Sequence, residues 1–287
     1  MLRALLKTMR PRQWTKNGFI FAALVFDGKL FHLQDFLRTL FGFILFCLIS
    51  STVYIFNDLL DMEADRLHPE KRNRPIASGQ LKAPVAMAVG VVLACLTLAL
   101  GLLLAWQFAL VMVVYLAMML AYSKWLKHIP ILDVLILATG FVLRVHAGTT
   151  LIVVQRFSPW LYVVMSLLAL YLGFGKRRAE LALLAENANN HRKVLEGYTI
   201  PLLDQFINIV SGTTILAYSL YTFFRPEAPS ALMLTIPFVV YAVFRYLYLI
   251  EVEHYGGAPE EVLLSDRPLQ IAIVLWGLSV LAVFYLP

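Results

Sequence analysis

Asn57, Asp58, Asp61 and Asp65 stand at offsets of zero, one, four and eight, at the point where a long apolar run ends. If that run continues as a helix, Asn57, Asp61 and Asp65 stack on one face, with Asp58 one position round it. Carboxylates this close repel one another, and more strongly where the dielectric falls at a membrane boundary. Either protons or a cation must relieve the repulsion. Hard oxygen ligands at this density suit Mg2+, which is commonly held by one or two carboxylates together with substrate phosphates. Lys71, Arg72 and Arg74 follow directly, and Pro75 and Gly79 close the segment. Acids suited to a metal beside bases suited to phosphate form the layout expected of a diphosphate site. The alternative is a hydrophilic loop that is acidic without chemical purpose. Against it, the acids begin within the last turn of the apolar run and not beyond it. Glu63 lies off their face and is read as solvated.

The elements that must position these residues are membrane helices. The chain is 60% hydrophobic and 15% charged. Crossing a bilayer core takes about 20 mostly apolar residues. Nine stretches qualify, near Trp14–Leu30, Phe36–Phe56, Pro84–Trp106, Gln107–Ser123, Ile129–Val154, Pro159–Phe174, Ile200–Phe224, Leu232–Ile250 and Leu269–Leu286. Lipid satisfies no open backbone groups, so these spans are expected as helices. The fold predicted is an all-α polytopic bundle of about nine transmembrane helices, a single domain over residues 1–287, with a basic N-terminus that carries no cleavage pattern.

Placing the N-terminus in the cytoplasm puts 18 Lys and Arg residues on the cytoplasmic side. Only Lys29, Arg38, Arg156 and Arg225 fall opposite. This asymmetry follows the positive-inside rule. The net charge of +6 is therefore a feature of topology, and a nucleic-acid partner is not indicated. Cys47 and Cys95 sit inside apolar runs without metal-ligand spacing, and no disulfide framework is expected. The six histidines form no ligand pairs, which disfavours a haem or zinc centre.

The stretch NDLLDMEADRLHPEKRNRPIASG resembles the first aspartate-rich motif of the UbiA superfamily of membrane prenyltransferases, NDxxDxxxD followed by RxRP. The resemblance extends over essentially the whole chain. It implies a UbiA-like bundle in which the residues matching Asn57, Asp58, Asp61 and Asp65 hold Mg2+ and a substrate diphosphate. A second motif, DxxxD, is expected at the end of the sixth span. Here that stretch reads YLGFGKRRAEL, from Tyr171, so Lys176 replaces the first acid, Arg177 and Arg178 follow, and Glu180 alone remains acidic. A basic half-site suits a further phosphate that needs no metal, although KRR after a span is also an ordinary membrane anchor.

This departure resembles the decaprenyl-phosphate phosphoribosyltransferase branch. RPRQWTKN, YSKWLKH, LDV, GFVLRVHAG and PEEVLLSDRPLQ match it as well. The branch implies phosphoribosyl pyrophosphate and a polyprenyl phosphate as substrates, in a bacterial plasma membrane with the site facing the cytoplasm. On that reading Asp58, Asp61 and Lys176 are catalytic, Lys71, Arg72 and Arg74 grip the diphosphate, and Lys176 and Arg177 take a second phosphate. Tyr171 and Glu180, from the same stretch, are counted with the substrate-binding residues, and the superfamily's loop after the fourth span, which helps to cover the site, adds Tyr122 and Lys127.

Other candidates come from polar residues within apolar runs, where lipid exposure is costly. Arg144 is expected to meet a substrate phosphate or a partner such as Asp133. Asp204, Gln205, Asn208 and Ser211 form a polar stripe expected to line the cavity. Lys16, after Gln13 and Trp14, reaches either the phosphate site or an interfacial anchor. Asp266 reads as an N-cap with Pro268 close behind. No Ser/His/Asp or Cys/His arrangement is present. Prenyl transfer from a prenyl diphosphate to an aromatic acceptor is the other enzymatic reading. A transporter is disfavoured by the absence of internal repeats, and a homo-oligomer is left open.

Overall fold

A computed structural model describes residues 1–69, 71–155, 158–186, 193–224, 230–253, 262 and 265–286. Arg156, Arg192 and Arg225 of the charge tally, and most of the PEEVLLSD stretch, lie outside the described residues. The helices are α1 (Leu2–Met9), α2 (Phe21–Phe26), α3 (Leu33–Leu60), α4 (Met62–Leu67), α5 (Ala83–Leu104), α6 (Trp106–Lys124), α7 (Leu132–Thr149), α8 (Pro159–Glu186), α9 (Ile200–Phe224), α10 (Ile236–Glu251) and α11 (Arg267–Tyr285). Among the described residues eight of these, α3 and α5 to α11, are long and apolar enough to cross a membrane. The chain is an all-helical, multi-pass membrane protein.

Two compact units are present. The first comprises Met1–Lys127 and Leu143–Val154, the second His128–Val142 and Gln155–Pro287. In the first, α3 packs on α5 and α6. Phe46 of α3 meets Tyr115 of α6 at 4.8 Å between ring centroids. Pro84 starts α5 where its missing N–H costs nothing. Arg38 donates to the Leu104 carbonyl at 2.7 Å, satisfying an end group that α5 leaves open. The amphipathic α1 lies over the ends of α3 and α5, with Ala4 and Met9 against Ile55, Ile76, Leu81 and Ala86.

In the second unit α8 packs on α9, and α10 on α11. Val134, Tyr171, Phe174, Leu203, Ile207, Tyr246 and Leu249 belong to its core. Asp266 caps α11 as its sequence predicts, accepting the Leu269 N–H at 2.8 Å. Arg245 binds the same carboxylate through Nε at 3.2 Å and Nη2 at 2.7 Å, which holds it below the usual carboxylate range.

The expected first span is built differently. Pro11–Ile20 forms a ten-residue 3-10 helix that continues into the short α2. Runs of 3-10 helix beyond three or four residues are uncommon, and here side-chain bonds to neighbouring helices replace an α-helical ladder. Trp14 Nε1 donates to Ser51 Oγ at 3.0 Å, and Asn17 Nδ2 to Ser50 Oγ at 3.1 Å. At about 2.0 Å per residue in 3-10 and 1.5 Å in α form, the segment covers roughly 29 Å, near the thickness of a bilayer core. The sixth span also differs. Helix α8 continues past Phe174, so Lys176, Arg177, Arg178 and Glu180 are helical and not part of a loop.

Gly148 ties α7 to the 3-10 segment, because a Cβ there would run into the Ile20 carbonyl oxygen. Backbone cannot rotate away as a side chain can. Gly148→Ala is therefore expected to cost about 1–3 kcal/mol. Gly212→Ala on α9, where nothing lies within 4 Å, should be neutral or slightly stabilising. Thermal unfolding of the two variants in detergent checks the contrast.

Candidate functional site

The acidic motif bends without breaking. Helix α3 ends at Leu60 and α4 begins at Met62. Even so, the Asp61 N–H still donates to the Asn57 carbonyl at 2.9 Å and the Asp65 N–H to the Asp61 carbonyl at 2.8 Å. On this helical path residues seven apart are offset by only about 20°. Asp58 and Asp65 accordingly share a face, two turns apart, while Asp61 points to a different partner. The structure thus groups Asp58 with Asp65, where the sequence placed Asn57, Asp61 and Asp65 together.

Each aspartate is met by a base. Arg10 Nη2 lies 2.5 Å from Asp58 Oδ1. Arg74 Nη1 bridges Asp65 Oδ2 at 2.6 Å and Asp58 Oδ1 at 3.3 Å. Lys127 Nζ lies 2.5 Å from Asp61 Oδ1. Asp58 is 2% exposed and Asp65 3%, so their charges need these partners. Formally, three carboxylates and three bases sum to zero.

Local folding explains how the bases arrive. Arg10 joins α1 to the 3-10 helix with φ of 53°, a left-handed conformation unusual for a residue with a side chain. Pro11 disfavours the right-handed helical alternative at Arg10. Its guanidinium also lies 4.8 Å from the centroid of the Tyr54 ring. Arg74 is carried by a segment that doubles back over the acids. Gly79, with φ of 79°, supports that turn, and the buried Ile76 and Leu81 pin it down. Lys71 and Arg72 sit exposed on the short turn Lys71–Asn73. Lys127 lies on the 3-10 turn Leu126–His128 after α6, and Tyr122 is buried near the end of that helix. Lys16 is half-buried on the 3-10 helix. Glu63 is exposed and pairs with Arg66 at 2.8 Å.

Arg144, also in the first unit, does not take Asp133. Its Nε donates to Asn17 Oδ1 at 2.8 Å and its Nη2 to the Tyr115 hydroxyl at 2.8 Å. The Tyr115 ring centroid lies 4.9 Å from the guanidinium. Neutral oxygens and π faces are thus among the groups that receive this charge. Sequence reasoning missed Asn17 and Arg10, although both lie in the RPRQWTKN stretch.

In the second unit the basic stretch is largely engaged by acids. Arg177, 2% exposed, donates through Nε to Asp133 Oδ2 at 2.6 Å and through Nη1 to Glu180 at 2.6 Å. Asp133 is fully buried and also accepts the Tyr198 hydroxyl at 2.7 Å. That hydroxyl in turn accepts the Ile131 N–H at 2.5 Å. Burial, and then the bond to Asp133, raise the Tyr198 phenol well above its usual range, so it stays a neutral donor. Ile131 has φ of 69°, a costly state for a β-branched residue, and this bond helps to hold it there. Arg178 Nε meets Asp204 Oδ1 at 2.5 Å, which assigns Asp204 an ion pair. Tyr171 is buried and donates to the Val243 carbonyl at 2.7 Å. The phosphate role expected of Arg177 and the substrate role expected of Tyr171 are thus met by structural bonds, while Lys176 stays half-buried on α8.

Among the described residues no three His, Cys, Asp or Glu side chains converge as a metal site. The donor chemistry of Asp58, Asp61 and Asp65 nevertheless fits a hard cation such as Mg2+.

Residues 18–255 match the UbiA prenyltransferase family. A protein of Mycolicibacterium smegmatis named decaprenyl-phosphate phosphoribosyltransferase is 36% identical, over 99% of this chain and 93% of its own. One of the same name from Corynebacterium glutamicum is 35% identical, over 99% and 87%. Among solved structures, a UbiA homolog from Archaeoglobus fulgidus bound to DMAPP and Mg2+ shares the fold, with a TM-score of 0.73, 18% identity and 99% coverage of both chains.

Breaking one side of a buried ion pair costs about 3–5 kcal/mol, and losing one hydrogen bond to a charged group about 1.5–3 kcal/mol. Arg177→Ala should therefore lower thermal stability by more than Tyr198→Phe does. An Arg177→Ala protein with unchanged Tm and lost substrate binding would return Arg177 to the phosphate site.

Proposed function

The chain belongs to the UbiA prenyltransferase family, and we propose that within it the protein transfers a 5-phosphoribosyl group from phosphoribosyl pyrophosphate to a polyprenyl phosphate of the decaprenyl type. It is a transferase. One observation carries the choice of substrates, namely near-full-length identity of 36% to a protein named for that reaction. The basic Lys176–Arg178 stretch, standing where the family resemblance expects acids, supports it.

Asp58, Asp61 and Asp65 would hold Mg2+. When bound, the ion supplies charge neutralisation to a departing diphosphate. The chain's own residues do the rest. Arg74 and Lys127 already lie against these carboxylates and take diphosphate oxygens, with Lys71 and Arg72 exposed nearby. Lys176 takes the ribose 5-phosphate or the lipid phosphate. An ionised oxygen of the lipid phosphate attacks the anomeric carbon and forms the new C–O bond. The bond from that carbon to the diphosphate breaks, and its electron pair leaves with pyrophosphate. No protein base is needed, because the attacking oxygen carries no proton. Catalysis rests on positioning and on charge stabilisation. In-line displacement inverts the α donor to a β-phosphoribosyl lipid. The site works at the cytoplasmic face of a bacterial plasma membrane, with residues 1–287 acting as one domain and the N-terminus on that side.

Purified protein supplied with phosphoribosyl pyrophosphate, polyprenyl phosphate and Mg2+ should release pyrophosphate and form a phosphoribosyl lipid. Asp58→Asn is expected to lower the rate roughly 100-fold, and Lys176→Met to weaken substrate use by about tenfold or more. Turnover only with a prenyl diphosphate and an aromatic acid would replace this reading with aromatic prenylation.

A further inference from the structure

We propose that Tyr198 is a positioning residue: its hydroxyl holds Ile131 in a strained turn, and that turn fixes how the Leu126–His128 segment, with Lys127, enters α7. Tyr198 acts through the backbone and not on substrate. This role rests on the diphosphate contact argued above for Lys127, but not on which diphosphate is the donor.

Ile131 is the centre of the turn. The Pro130 carbonyl accepts the Leu132 N–H at 2.8 Å, and the φ of Ile131 between them is 69°. A bond between residues two apart around such a φ marks the γ-turn form that is rare and strained. Isoleucine makes it more costly, because glycine alone adopts positive φ without steric penalty. Burial does not account for the choice of residue, since Ile131 is 42% exposed. What meets the turn is the Tyr198 hydroxyl, which accepts the Ile131 N–H at 2.5 Å and donates to Asp133 Oδ1 at 2.7 Å. Backbone strain and one buried hydrogen bond are of similar size, so this bond decides whether Ile131 keeps the turn. Tyr198 is itself buried beside the Lys193–Gly197 turn, and Gly197 packs so closely on Pro130 that a Cβ there would overlap the proline ring. Pro130, Ile131, Asp133, Gly197 and Tyr198 all belong to the second unit.

The chain between Ile131 and Lys127 has little slack. Lys127 lies on a 3-10 turn only four positions earlier. Pro130 has its φ fixed by its ring, and Ile129 before it is restricted to extended backbone. On the other side Ile131 leads directly into α7, where its carbonyl accepts the Leu135 N–H at 2.9 Å and the Ile129 carbonyl accepts the Asp133 N–H at 3.0 Å. A change of φ at Ile131 is therefore passed to the preceding turn, and Lys127 moves with it. Lys127 Nζ has to stand 2.5 Å from Asp61 Oδ1, and misplacement by about 1 Å is enough to impair a group of this kind. Glycine at position 131 would hold the turn unaided. Isoleucine makes the turn depend on Tyr198.

The test uses full-length protein in detergent and has two arms. Hydrogen exchange with mass spectrometry reads the amides of residues 126–132, and binding of 32P-labelled pyrophosphate with Mg2+ reads the site. Tyr198→Phe should speed exchange in that peptide and weaken pyrophosphate, each roughly three- to tenfold. Ile131→Gly needs no latch. Protein carrying Tyr198→Phe and Ile131→Gly together should therefore match Ile131→Gly alone within about twofold in both readouts. General damage through Asp133 and Arg177 predicts no such rescue. Lys127→Met should weaken pyrophosphate about tenfold. Adding Tyr198→Phe to it should cost nothing further, because the side chain being positioned is gone. Unchanged exchange in Tyr198→Phe, no rescue by Ile131→Gly, or full additivity of Lys127→Met with Tyr198→Phe overturns the proposal. Exchange is independent of the donor. A protein that moves prenyl groups keeps the latch, while phosphoribosyl transfer with unaltered exchange in Tyr198→Phe defeats the latch alone.

Discussion

Charge neutralisation at the end of α3 is the constraint on which the first unit depends. Asp58 and Asp65 lie among apolar helices with almost no exposure. Buried carboxylates need bases against them, because a buried charge without a partner is costly. Two otherwise unconnected features of the fold meet that requirement. The left-handed junction at Arg10 turns a guanidinium towards Asp58, and the burial of Ile76 and Leu81 folds Arg74 back over both acids. The amphipathic α1 covers the same end of the unit. The amino-terminal segment and the turn after α4 thus supply bases that meet these acids.

The second unit applies the same rule to a different purpose. Asp133, Arg177, Glu180 and Tyr198 form a buried network that joins the start of α7, the body of α8 and the turn before α9. Every polar group named there has a partner, which is the condition under which buried charge is tolerated. Arg178 with Asp204, and Arg245 with Asp266, repeat the pattern nearer the surface. A basic stretch that replaces expected acids is therefore partly structural, through Arg177 and Arg178.

Much of this was legible in the chain. Apolar runs predict the spanning helices because lipid leaves the backbone no alternative, and the spacing of Asp58, Asp61 and Asp65 places them on one helical path. The stretch from Pro11 to Ile20 was not legible as a 3-10 helix. Its conformation is set by bonds to Ser50, Ser51 and Arg144 and by the fit of Gly148 against Ile20. Arg10 was hidden for a similar reason, since its partner is 48 residues away. Arg177 looked like a phosphate ligand because Asp133, 44 residues distant, is invisible to local pattern. Hydropathy and spacing report what neighbours in sequence share, and these contacts belong to none of those windows.

The identity of the transferred group is the central claim, and isotopic labelling tests it most directly. Phosphoribosyl pyrophosphate labelled in the ribosyl carbons, and a second sample labelled in the β-phosphate, are each incubated with the protein, polyprenyl phosphate and Mg2+. Carbon label should enter the lipid fraction with inversion at the anomeric carbon, while all of the phosphate label should appear as free pyrophosphate. Phosphate label in the lipid, or carbon label confined to the aqueous phase while a prenyl diphosphate is consumed, would contradict the account.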